Sequence, residues 1–156
     1  MKKRNVYLLF LIICLGTGIL AAALTAGGTQ LYSSMLVKPP LSPPAILFPI
    51  VWTVLYALMG ISGARIWLAP ESRDRSKGLN LFFAQLIVNF FWSPIFFNAQ
   101  AFGFAFFWIL LLWVLIIMMI VSFYKTDKAA ALLQLPYLLW VTFAAYLTFM
   151  IWQLNS

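Results

Sequence analysis

Residues 102–124 read FGFAFFWILLLWVLIIMMIVSFY, an unbroken apolar run that holds no charge. A helix rising 1.5 Å per residue needs roughly 20 residues to cross a hydrocarbon core of about 30 Å, and this stretch is long enough. In lipid the backbone must satisfy its own hydrogen bonds, which a helix does within one segment. A barrel strand would show alternation over about 10 residues, and none is present. Four further apolar runs flank this one, at 6–26, 45–68, 79–97 and 129–152. Each has about the length of a membrane span. The chain therefore reads as an all-α membrane protein, a five-transmembrane-helix bundle forming a single membrane domain over 1–156. Between the third and fourth runs only Asn98–Ala101 remain, which predicts a tight antiparallel hairpin. The connection 27–44 contains Pro39, Pro40, Pro43 and Pro44 and cannot be regular helix. Its apolar residues suit either a segment folded against the bundle as a cap or a stiff linker.

Composition agrees. Of the 156 residues, 65% are hydrophobic and 8% charged, where a soluble domain carries roughly 25% charged residues. The net charge of +7 has the sign that suits nucleic acid. The basic residues, however, sit in short connections and at one end, without the interleaved aromatics of a single-strand binder. No nucleic-acid partner is expected. Cys14, the one cysteine, lies in an apolar run, and histidine is absent. That leaves no disulfide framework and removes the commonest metal ligand and general base. No metal and no cofactor is expected. Lys2, Lys3 and Arg4 before the first apolar run mimic a secretory signal. The run exceeds a signal core in length, so an uncleaved first helix is expected.

The charges also set an orientation. Lys2, Lys3, Arg4, Arg73, Arg75, Lys77, Lys125 and Lys128 fall on one side of a five-span model, with Arg65 near it. Only Lys38 falls on the other. The positive-inside rule then places the N-terminus in the cytoplasm and the C-terminus outside, in a multi-pass protein of the cell membrane. Four or six spans would scramble this sorting.

Little reactive chemistry is left for the interior. Glu71, Asp74 and Asp127 all lie in connections. Intramembrane ionisable groups mark proton relays and ion paths, so a proton-coupled carrier is disfavoured, while coupling through backbone carbonyls stays open. Serine or cysteine triads and carboxylate pairs are excluded. What remains is a set of polar and aromatic faces at helical spacing. Gln85, Asn89, Trp92 and Phe96 share one in the third run. Trp52, Tyr56 and Met59 share another in the second, near Gly60, Gly63 and Ala64. Pro136, Trp140, Phe143, Ala144 and Leu147 descend the fifth. Two readings stand: interhelical hydrogen bonds of about 0.6 kcal/mol that glue the bundle, or an aromatic pocket for a flat apolar ligand. Gly18, Ala22 and Ala26 form a small-residue seam, facing either another helix of the chain or a second subunit.

Certain motifs go further. They are Lys38-Pro39 with Pro43-Pro44, then Phe48-Pro49-Ile50-Val51-Trp52 and Tyr56. Next come Gln85, Asn89-Phe90-Phe91-Trp92-Ser93-Pro94 and Phe96-Phe97, and lastly Leu135-Pro136-Tyr137-Leu138-Leu139-Trp140 through Ala144, Leu147 and Asn155. With these the chain resembles the tryptophan-rich sensory protein family, also called translocator proteins or peripheral-type benzodiazepine receptors. The resemblance implies a membrane receptor or sensor, commonly a homodimer, that binds porphyrins such as protoporphyrin IX and similar flat apolar ligands. Expected partners are thus a porphyrin or other apolar small molecule, membrane lipid and a second copy of the chain. By resemblance Trp52, Tyr56, Asn89, Trp92, Phe96, Trp140, Phe143 and Ala144 line the pocket, Leu147 on the same fifth-helix face is expected to bind ligand with them, and Pro39, Pro43 and Pro44 belong to the cap. Two alternatives come with the family, a tetrapyrrole transporter and a light- and oxygen-dependent porphyrin-degrading protein. In the latter Trp52 and Trp140 would be the catalytic residues. Three departures stand out. Pro40 and Leu41 replace the cap tryptophans of relatives, Thr148 stands where many carry Asn, and the sterol-type pattern near the C-terminus is missing. The pattern has a weak match at Val121, Tyr124 and Lys128, so poor sterol recognition is expected.

Overall fold

The computed structural model describes residues 2–27 and 46–155, and within them every regular element is helical. The elements are α1 (Lys3–Leu24), α2 (Leu47–Trp67), α3 (Arg73–Ser93), α4 (Phe102–Thr126), α5 (Lys128–Leu133) and α6 (Leu135–Leu154). A five-residue π-helical segment, Pro94–Asn98, continues α3. With that segment joined to α3, and α5 joined to α6, five helical units are long and apolar enough to cross a membrane. The cap predicted over 27–44, with Lys38, Pro39, Pro43 and Pro44, lies outside the described residues save for Gly27.

Local chemistry sets where the helices begin and break. Helix α3 starts at Arg73, ahead of the hydropathy boundary at 79, because Ser72 accepts a hydrogen bond from the Arg75 N–H at 3.1 Å and Asp74 sits in the first turn. Hydropathy marks where lipid begins, whereas the helix runs on past it. Pro94 ends the α-helical ladder of α3. Lacking an N–H, it leaves the Phe90 carbonyl without its usual donor, and the backbone widens. The Ala99 N–H accordingly donates to the Pro94 carbonyl at 2.9 Å, five residues back. Pro136 acts likewise in the fifth span, falling in the first turn of α6 after the break at Gln134. Asp127 caps α5 by accepting from the Ala129 N–H at 3.2 Å.

Around the bundle the order is α1, α2, the α5–α6 unit, α4, α3 and back to α1. Two glycines let α1 and α2 touch. A Cβ on Gly60 would come 3.0 Å from the Leu11 Cα, and one on Gly63 would come 2.8 Å from the Phe10 and Phe82 rings. Met59, Phe82, Ile116, Met119 and Phe123 are fully buried between the helices. Ile12, Ile87, Phe107 and Leu139 are exposed on the outside, where lipid tails replace water as solvent. Two indoles tie α4 to its neighbours: Trp108 Nε1 donates to the Val88 carbonyl at 2.7 Å and Trp113 Nε1 to Thr142 Oγ1 at 2.9 Å.

All the charged side chains of the described residues gather at one end of this antiparallel arrangement. There Arg65 pairs with Asp127 through Nε at 2.7 Å and Nη2 at 3.3 Å. Arg75 reaches back to the end of α2, donating from Nη2 to the Trp67 carbonyl at 2.7 Å. The last carbonyls of a helix have no partner within it, so a cation placed there satisfies them and opposes the dipole.

Candidate functional site: an aromatic cavity between three helices

Small residues open space at the opposite end. Gly18, Ala21 and Ala22 on α1 face the N-terminal half of α2 and the end of α3 across a cavity of about 700 Å³. Its aromatic walls are Phe48, Trp52 and Tyr56 from α2, with Trp92 and Phe97 from α3 and its π-helical continuation. Gly18 lies so close to Tyr56 that a Cβ there would fall 2.6 Å from the ring. The rings pack in order. Trp52 and Tyr56 are 5.5 Å apart and tilted, Trp52 meets Tyr137 edge-on at 6.2 Å, and Trp92 stacks on Phe96 at 5.1 Å.

Behind the Tyr56 wall runs a buried chain of polar side chains. Tyr56 Oη donates to Asn89 Oδ1 at 2.8 Å, and Asn89 Nδ2 donates to Tyr137 Oη at 2.6 Å. Tyr137 Oη donates in turn to Gln85 Oε1 at 2.7 Å, and Gln85 Nε2 to the Phe82 carbonyl at 2.8 Å. Four side chains from α2, α3 and α6 are thereby linked, with the Asn89 amide bonded at both of its atoms. The hydroxyls at the rim serve their own helices: Thr25 donates to the Ala21 carbonyl and Thr53 to the Pro49 carbonyl.

Two indole donors differ from the rest. Trp92 Nε1 and Trp140 Nε1 are buried and have no partner among the described residues, unlike the paired indoles of Trp108 and Trp113. A buried donor left unmet costs about 1–3 kcal/mol. Trp92 gives its ring to the cavity wall, while its Nε1 is itself enclosed by protein. The described lining carries no charged side chain, so its chemistry is apolar contact, ring stacking and hydrogen bonding.

The structure distributes the residues singled out by sequence among four places. Trp52, Tyr56 and Trp92 line the large cavity. Asn89 stands behind it and acts through Tyr56. Phe96, Ala144 and Leu147 border a separate void of about 10 Å³, together with Phe48, Trp92, Phe97, Thr148 and Ile151. Trp140 packs edge-on against Phe48 at 5.8 Å and beside Phe143 at 5.6 Å, and neither Trp140 nor Phe143 is among the described residues lining either space. Thr148 spends its hydroxyl on the Ala144 carbonyl at 2.7 Å. The pocket reading had omitted the α1 wall and Tyr137. The signal for α1 was present in Gly18, Ala22 and Ala26, whose small size suits a cavity floor as well as a helix seam. Tyr137 lay within the quoted motif, and its role needed the partners from α2 and α3.

Fold and cavity together define a class: a five-span α-helical membrane protein with an aromatic chamber at the end where the described residues carry no charge. Residues 10–153 match the TspO/MBR family, and the chain belongs to that family. It is 39% identical over 147 residues to Tryptophan-rich protein TspO of Chlorobaculum tepidum, covering 92% of this chain and 91% of that one. It is 34% identical over 152 residues to Protein CrtK of Rhodobacter capsulatus, covering 97% and 93%. Against Translocator protein of Homo sapiens the identity is 34% over 122 residues, covering 77% and 72%.

Proposed function

We propose that this protein is a membrane receptor that binds a flat, largely apolar ligand of the porphyrin class, such as protoporphyrin IX, in the cavity bounded by α1, α2 and α3. One observation carries the reading: about 700 Å³ of space walled by Trp52, Tyr56, Trp92 and Phe97. Ligand sites usually occupy roughly 300–1,000 Å³, lined by aromatic residues with a few polar groups. One relative carries the name Tryptophan-rich sensory protein, of Cereibacter sphaeroides, which agrees with sensing, while others are named Translocator protein. A transporter needs a route onward to the charged end. That direction is filled by the Tyr56–Asn89–Tyr137–Gln85 chain and by fully buried Met59 and Phe82, which favours a receptor.

Tryptophan fluorescence of the full chain in detergent, titrated with protoporphyrin IX, tests the reading. Saturable quenching is expected, and Trp52→Leu, which removes part of the wall, should weaken it at least about tenfold, or ~1.4 kcal/mol. Quenching that stays linear in ligand, or is unchanged in Trp52→Leu, would remove the cavity as the site.

A further inference from the structure

We propose that the charged end of the bundle is a binding surface for the headgroups of anionic phospholipids. The cations there divide by what they already do. Arg65 is held by Asp127, and Arg75 by the carbonyls of Ile66 and Trp67. The rest are exposed, and among the described residues none enters an ion pair. They form three patches: Lys2, Lys3 and Arg4 at the start of α1, Arg73 and Lys77 in the first turns of α3, and Lys125 with Lys128 where α4 meets α5. Glu71 and Asp74 are the only unpaired acids beside them among the described residues.

Packing draws the patches together. A Cβ on Gly78 would lie 3.0 Å from the Phe123 ring, so the turn bearing Lys77 adjoins the last turns of α4. Phe10 contacts both Trp67 and Phe83 at 6.2 Å, which brings the start of α1 beside α2 and α3. The surface is consequently shared by four helices.

Depth identifies the partner. Arg75 lies over the Trp67 ring at 5.2 Å and Lys128 over the Tyr124 ring at 5.9 Å. Both rings are largely exposed, at 45% and 56%, and exposed Trp and Tyr mark the level of the headgroups. The neighbouring turns expose Leu8, Leu9, Phe83, Met118 and Val121, which belong among acyl chains. A cation just above an acyl-facing surface meets lipid phosphate. Each cation near an anionic membrane surface contributes about fivefold in association.

The test uses the full chain in bilayers of phosphatidylcholine mixed with phosphatidylglycerol, with spin-labelled lipids reporting which species contacts the protein. The wild type should select phosphatidylglycerol, and the preference should fall as sodium chloride is added. The variant carrying Arg73→Gln, Lys77→Gln, Lys125→Gln and Lys128→Gln should lose at least about fivefold of it. Equal association of the two lipids, or a preference that added salt leaves unchanged, overturns the proposal without any mutation. So does displacement of the labelled lipid by inorganic phosphate at matched ionic strength, which would mark a free-phosphate site.

Discussion

Asn89 joins two tyrosines through one amide, accepting from Tyr56 and donating to Tyr137. Asn89→Leu matches its bulk but leaves the buried Tyr56 hydroxyl without its acceptor, while Tyr137 keeps its bond to Gln85. At about 1–3 kcal/mol for that unmet group, the variant should melt below the wild type in detergent. Its porphyrin affinity should fall too, since Tyr56 walls the cavity. A variant with unchanged melting would show that the chain adds nothing to stability. Trp140 is the opposite case. Its indole N–H has no partner among the described residues, and its ring touches Phe48 and Phe143 rather than the cavity. Trp140→Phe should therefore leave porphyrin affinity within about twofold and cost about 1 kcal/mol of stability from the smaller ring. If light-driven porphyrin loss occurs and vanishes in this variant while affinity holds, the indole carries electrons rather than binding energy. Parallel modest losses in affinity, stability and rate would leave Trp140 as packing.

At the scale of elements, the π-helical segment matters most to the cavity. Pro94 causes it by withholding one N–H, and the wider turn brings Phe97 to the cavity wall with Phe96 stacked on Trp92. Pro94→Ala returns the donor and permits α3 to continue as an α-helix, which is favoured by up to about 3 kcal/mol per proline removed from a helix interior. The expected result is an equal or higher melting temperature with porphyrin affinity at least about fivefold weaker, or ~1 kcal/mol. Lower melting with full affinity would reduce Pro94 to a terminator for the helix. Sequence placed a proline in this span but could not distinguish a kink from a stop or a π turn. Those outcomes differ in where Phe96 and Phe97 point, which depends on what α4 and α6 press against them.

At the scale of the molecule, the distribution of charge predicts how the bundle sits. With the described charged side chains at one end and the cavity at the other, a reporter active only outside the cell should work when fused after Ser156. It should fail when inserted between Glu71 and Lys77. The reverse pattern would turn the cavity toward the cytoplasm. The Arg65–Asp127 pair belongs to the same scale, because it clamps the end of α2 to the α4–α5 junction where the ring of helices closes.

The spans were legible from the chain alone. An uninterrupted apolar run of bilayer length has few other ways to satisfy its backbone in lipid. The family and the aromatic faces were legible for related reasons: each depends on which residues occur at which spacing. The tertiary structure alone decided how those faces meet. It put Gly18 against Tyr56 and Ala22 on the cavity wall, set Asn89 behind the cavity, and moved Trp140 and Phe143 away from its lining. Periodicity states which side chains share a face of one helix. Which neighbour that face meets, and whether the gap is filled, depends on ring size and glycine placement across helices far apart in the chain.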